Sequence, residues 1–285
     1  ANMKYLSTLV GVSALTLQSN PVLAGWCGNT DAQDWAELSS MYWAGPPGNA
    51  TRPAMYVLSA PWCPYCAQLF KMLGSRRVSF DSRFVPVMPT NENDRDQIAD
   101  IVMDGTERAL TRVFVQRSVN KGHFTFLQRN FVNEVQEVLD ITLKARFDSQ
   151  VKIWGTPMSF VMREGQLTLV AGMPMLDVID GLKADLSPSP SPPATRRFLQ
   201  TGIPQERQIE GNPYAKRDNT RLRVLPDENA VSAVCLQRDR YLTIPPSGVV
   251  NIEGKDWLVY KPYRPAAHLR AYALASDFEG WRPRQ

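Results

Sequence analysis

Two of the four cysteines, Cys63 and Cys66, stand together in APWCPYCAQLF, directly after the apolar run Met55-Tyr56-Val57-Leu58-Ser59. A C-x-x-C pair can be a redox dithiol, half of a zinc site or a local structural staple, and each option constrains the fold differently. The residues around it predict a buried strand and then a helix from Cys63 to about Ser75. Cys66, Leu69, Phe70 and Leu73 would share one face of that helix, and Gly74 would suit its C-terminal cap. Cys63 would then occupy the helix N-terminus, where unpaired N–H groups and the helix dipole favour a thiolate. Pro64 suits the first turn, because the N–H it lacks would go unused there. Cys66, on the apolar face, is expected to be shielded, and Cys63 to be exposed. Dithiol exchange needs such a division: attack by one sulfur, a mixed disulfide, and release by the other.

The competing chemistries fit less well. Zinc would need two more ligands, and Cys27 and Cys235 offer them only singly, from distant segments. Structural zinc sites usually present a second close pair. A staple closing so short a loop would constrain the unfolded chain little. Neither a metal nor an organic cofactor is expected.

Residues 3–24 have the pattern of an export signal. Lys4 precedes an apolar stretch over 6–17, and Val22-Leu23-Ala24 places small residues before a cut after Ala24. The apolar stretch is shorter than the roughly 20 residues of a membrane span. Trp26 interrupts the spacing that a lipid-anchoring cysteine motif would need at Cys27, so no stable membrane anchor is expected. Export favours disulfide chemistry for all four cysteines. Cys27 and Cys235 either pair, as a structural disulfide tying the N-terminal lead-in to the C-terminal part, or remain separate thiols.

A hydrophobic content of 44% with 21% charged residues excludes a disordered or fibrous chain. The net charge of +4 comes without a block of like charges, so nucleic acid is not an expected partner. The two histidines, His123 and His268, are far apart in sequence and are expected to be ordinary surface or core residues.

Along the chain, residues 25–52 form a Trp-containing lead-in that ends in a Gly-Pro-rich loop. The strand over 55–59 and the Cys63 helix are followed by a second strand over 83–88, with Pro86 better suited to a sheet edge. Residues 94–147 read as helical, broken at Asn120-Lys121-Gly122. The second of these helices carries an apolar stripe of Phe124, Leu127, Phe131, Val135, Val138, Leu139 and Thr142. A hairpin is expected over 158–170, turning at Arg163-Glu164-Gly165, then a helix over 176–186. Thr156-Pro157, opening the hairpin, is a candidate cis bond. Residues 187–197 form a Pro/Ser linker. Residues 198–285, with β-like runs at 221–225, 230–236, 241–244 and 256–260, are expected to form a small, mostly β domain.

A strand leading into Trp62-Cys63-Pro64-Tyr65-Cys66, a helical insertion, and Gly155-Thr156-Pro157 entering a hairpin together resemble the thioredoxin-fold disulfide oxidoreductases of the bacterial periplasm. The similarity is greatest to the DsbC/DsbG isomerase branch and covers about residues 53–186. It implies an α/β, thioredoxin-like catalytic domain with a helical insertion, followed here by the small β domain. It implies Cys63 as nucleophile and Cys66 as resolving thiol, supported by Trp62, Pro64 and Tyr65, with Thr156 and Pro157 lining the substrate cleft. It also implies a periplasmic location, protein substrates bearing disulfides or thiols, and a membrane redox partner that recycles the dithiol. Three features depart from the wider family. Val57 stands where thioredoxins and DsbA-type oxidases carry a buried carboxylate. Tyr65 stands where those oxidases carry histidine. Residues 25–52 are too few for the isomerases' N-terminal dimerisation domain. The first two make an isomerase or reductase the expected activity. A DsbA-like oxidase, and a non-catalytic scaffold of a secretion or envelope assembly, are the alternatives.

Overall fold

The computed structural model describes residues 26–28, 30–46, 53–75, 78–174, 198, 202–240, 242, 245–261 and 270–284. The expected export signal, the helix expected over 176–186, the expected Pro/Ser linker and His268 lie outside these residues.

Strand β1 (Ala54–Ser59) is buried along its whole length and pairs in parallel with β2 (Asp81–Pro86), across a connection that contains α2 (Pro64–Gly74). Strand β3 (Met158–Arg163) runs antiparallel to β1, and β4 (Gln166–Ala171) antiparallel to β3, giving the order β2-β1-β3-β4. Glu164 and Gly165 turn the hairpin with φ of 52° and 74°. Two positive values in a two-residue loop match the right-handed twist of the strands they join. A βαβ unit and a hairpin sharing one sheet make the fold thioredoxin-like. β2 starts two residues earlier than expected, because Asp81 N–H already donates to Pro53 O at 2.8 Å. It also stops two residues earlier, at Pro86 on the sheet edge, and Met88 then turns away with φ of 57°. The C-cap of α2 is Ser75 in the right-handed region; Gly74 is helical and makes no left-handed cap.

Between β2 and β3 lies the helical insertion: α3 (Glu92–Asp104), the short α4 (Glu107–Leu110), a π-helical turn (Thr111–Val115), a 3-10 turn (Lys121–His123) and α5 (Phe126–Phe147). A capping box between Thr125 and Gln128 starts α5. Its buried face runs through Val132, Val135, Val138, Leu139, Leu143 and Phe147. The N-terminal end of the expected stripe is wrong: Leu127 is 77% exposed, beside Phe126 at 70%. Burial sets in at Arg129, which pairs with Asp96 and Glu92 of α3.

The lead-in contains a helix that sequence periodicity missed, α1 (Asp31–Ser39). Two of its three buried residues are acidic, Asp34 and Glu37, so its inward face does not look apolar. Each acid is engaged elsewhere. Asp31 accepts from Leu167 N in β4 at 2.8 Å, and Asp34 takes Arg146 of α5 in a fork of contacts at 2.7–3.0 Å. Glu37 accepts from both the N–H and the hydroxyl of Ser232, at 2.8 and 2.7 Å. Replacing Arg146 by Met would strand the Asp34 carboxylate in the interior, at a cost of about 3 kcal/mol in denaturant unfolding. The double variant Asp34→Asn with Arg146→Met should recover much of that loss, and no recovery would show that the pair does not act through charge.

The C-terminal part builds a five-stranded antiparallel sheet, β7-β6-β10-β9-β8, and a separate pair, β11-β5. The strands are β5 (Ile209–Ala215), β6 (Thr220–Arg223), β7 (Ser232–Leu236), β8 (Gly248–Ile252), β9 (Lys255–Tyr260), β10 (Ala271–Leu274) and β11 (Phe278–Pro283). β6, β7 and β9 fall at expected runs, while the run over 241–244 lies mostly outside the described residues. β5 and β11 escaped notice because Gly211, Pro213, Gly280 and Pro283 read as strand breakers. Here the glycines permit contact: a Cβ on Gly211 would sit 2.2 Å from Gly280 O. One hydrophobic cluster joins Tyr56, Val135, Leu139 and Phe160 to Leu222, Val234 and Leu258, so the C-terminal sheet shares the core over α5. A second cluster, with Val57, Leu69, Phe84 and Phe114, holds both Cys63 and Cys66.

Candidate dithiol site

The chain leaves β1 through a tight turn in which Cys63 N–H donates to Ala60 O at 3.0 Å. Cys63 is the N-cap of α2 and Pro64 its first residue. Its Sγ accepts from Cys66 N–H at 3.3 Å, which meets one of the unpaired donors at a helix start. On the other side the thiol donates to the carbonyl of Thr156 at 3.4 Å. The Thr156–Pro157 bond is cis, and β3 begins at the next residue. Three chain segments thus meet at the two sulfurs.

The expected exposure of Cys63 is not found. Cys63 is 2% and Cys66 0% exposed. The Ala60–Cys63 turn and the Thr156 carbonyl close over the first sulfur, and the open surface belongs to Trp62 at 45%, Tyr65 at 59%, and Pro64. Trp62 is fixed there by its indole N–H, which donates to Met88 O at 2.7 Å.

Burial pushes the pKa of the Cys66 thiol well above its ordinary value, and a hydrogen bond with Cys63 adds to the rise. The backbone N–H of Ala60 acts in the opposite sense, without overcoming burial. Val57, in the same cluster, is fully buried and offers no proton-accepting group. Cys66 is therefore held as a thiol. Because its folded-state pKa is raised, the stability it confers is complete below the unfolded thiol's pKa of about 8.5 and is lost as pH rises above it. Reduced wild type should thus lose up to about 1.4 kcal/mol per pH unit above about pH 9, relative to a Cys66→Ala variant. Parallel pH profiles in urea unfolding would contradict this.

Trp62, Cys63, Pro64, Tyr65, Cys66, Thr156 and Pro157 are thus brought together. Cys27 and Cys235 lie elsewhere, bonded to each other with Cα atoms 4.9 Å apart. Sequence reasoning missed Arg117, whose guanidinium donates to Pro61 O at 3.1 Å. No signal marked it, since the expected break between helices falls at Asn120-Lys121-Gly122, beyond it. Also missed was a cluster in the insertion, where Asp100, Asp104 and His123 place ligand-type atoms within 4.8 Å of one another. Arg112 occupies it, bonded to Asp100 at 2.7 Å and Asp104 at 3.0 Å. Burial acts against the Asp104 carboxylate, but hydrogen bonds from Thr106 and Arg112 outweigh it and hold its pKa below the usual range. Among the described residues no helix is long and apolar enough to cross a membrane.

No protein-family model matches the chain, and no curated protein matches it. Among solved structures it is similar to a disulfide interchange protein from Neisseria gonorrhoeae, with 14% identity and a TM-score of 0.32, over 49% of this chain and 91% of that one. It is also similar to Helicobacter pylori DsbG, with 20% identity and a TM-score of 0.28, over 45% of this chain and 62% of that one.

Proposed function

We propose that the chain is a periplasmic thiol:disulfide oxidoreductase that acts on protein disulfides in the isomerase or reductase direction. The observation that carries this is the placement of Cys63 as N-cap of α2, with Cys66 buried one turn on and the Thr156 carbonyl against the first sulfur. Cys63, as thiolate, attacks one sulfur of a substrate disulfide; a mixed disulfide forms and the other substrate sulfur leaves as a thiolate. If that thiolate attacks a different substrate disulfide and the rearranged chain finally displaces Cys63, the net change is isomerisation and the dithiol stays reduced. If Cys66 loses its proton and attacks Cys63 instead, the substrate leaves as a dithiol and Cys63–Cys66 is oxidised. A Cys66 held as a thiol delays this second route and gives the substrate time to rearrange, which supports the isomerase direction. A membrane partner supplying two electrons and two protons would restore the dithiol after reduction.

Equilibration against glutathione buffers tests the direction. The expected potential lies well below the about −120 mV of a strong dithiol oxidant, together with reduction of insulin disulfides. A potential near that mark, with no insulin reduction, would turn the assignment towards an oxidase.

A further inference from the structure

We infer that Arg117 makes this dithiol site selective for disulfides that carry negative charge beside the exchanging sulfur; the inference rests on the exchange chemistry proposed above. The segment bearing Arg117 is fastened at both ends to one buried carboxylate. Asp100, 0% exposed, accepts from Arg112 Nε and Nη2 at 2.7 Å each at one end. At the other it accepts from Asn120 N at 2.9 Å and meets His123 Nδ1 at 2.8 Å. Between these anchors the backbone bends at Arg117, a non-glycine residue with φ of 56°. The bend brings Nη1 to the carbonyl of Pro61, in the turn that feeds Cys63 into α2.

Four of the other arginines between β2 and β3, Arg95, Arg112, Arg129 and Arg146, each pair with a carboxylate. Arg117 rests on a neutral carbonyl, and among the described residues no carboxylate pairs with it. Residues 60–66 carry no charge, and the exposed tip is made of Trp62, Pro64 and Tyr65. A guanidinium has five N–H donors, and its bond to Pro61 uses one. Arg117 is exposed, which leaves donors for a ligand at the turn that leads into Cys63. Attack by the Cys63 thiolate forms a new S–S bond and expels a second thiolate from the substrate. An acidic disulfide thus gathers several negative charges at one place. A fixed cation at the rim offsets that repulsion, and for a basic disulfide it adds repulsion instead.

The test uses the Cys66→Ala protein, in which reaction stops at the Cys63 mixed disulfide. Its rate with oxidised glutathione, which is anionic, is divided by its rate with cystamine, which is cationic, at low ionic strength. The ratio is then normalised to that of a simple thiol in solution. The expected preference is about tenfold for the anionic probe and shrinks in high salt. Adding Arg117→Gln should bring the ratio close to one, and Arg117→Lys should keep most of it. A ratio near one in the parent protein overturns the inference, as does a ratio that Arg117→Gln leaves unchanged. Equal slowing with both probes would make Arg117 a brace for the turn and would also overturn it. Both probes react with any accessible thiol, so the outcome does not depend on activity towards proteins, which insulin reduction reports separately.

Discussion

Cys63→Ala is expected to abolish disulfide exchange, lowering insulin reduction by about three orders of magnitude or more, to the rate of the assay's own reductant. Cys66→Ala is expected to behave differently: it should still attack but not resolve, so that covalent adducts with substrate accumulate on non-reducing gels. The difference follows from position. Cys63 sits at the N-cap with its sulfur on a backbone N–H, at the edge of the open surface made by Trp62 and Tyr65. Cys66 lies behind it, fully buried, with its pKa raised by that burial. Because Cys63 is itself only 2% exposed, attack requires the contact with Thr156 O at 3.4 Å to open, so a substrate backbone must displace it or slide beside it. Adducts forming through Cys66 in the Cys63→Ala protein would reverse the assignment. Equal activity of wild type and Cys63→Ala would remove the enzymatic function altogether.

The parts legible in the sequence were those where local pattern and tertiary packing agree. The run from Met55 to Ser59 is apolar at nearly every position because β1 is central in its sheet and covered on both faces. The C-x-x-C pair, Pro64 and the Leu69–Phe70–Leu73 face all specify one helix with its start at the cysteines. Two kinds of feature stayed hidden. The first is polar contact between remote segments: α1 buries carboxylates whose partners are 112 and 195 residues away, so its inward face carries no apolar period. Asp100 is likewise buried by partners up to 23 residues distant. The second is exposure, which propensity does not encode. Cys63 is buried and meets the Thr156 carbonyl, 93 residues away, while Leu127 is left 77% exposed, and neither fact is local.

The second large effect concerns the Cys27–Cys235 bond, which spans 208 residues of sequence. Closing so long a loop removes chain entropy from the unfolded state worth roughly 5 kcal/mol in the loop-closure treatment. The Cys27→Ser/Cys235→Ser protein should therefore unfold at a midpoint lower by roughly 10 °C. Native docking has other supports. Cys235 lies on β7, which also presents Ser232 to Glu37 of α1, and the core beneath runs unbroken from Val135 and Leu139 to Leu222 and Val234. Glu37→Ala breaks two short hydrogen bonds to a carboxylate in the folded state, a loss of about 2 kcal/mol. The bond acts on the unfolded chain and Glu37 on the folded one, so the two losses should add to within about 0.5 kcal/mol. A coupling above about 1 kcal/mol would mean that the disulfide holds α1 against β7 directly. At a temperature where the serine variant remains folded, its exchange rate should equal that of wild type. Loss of exchange there would tie the Cys27–Cys235 bond to the dithiol chemistry itself, since Cys63 and Cys66 draw their positions from β1, α2 and the Thr156–Pro157 segment.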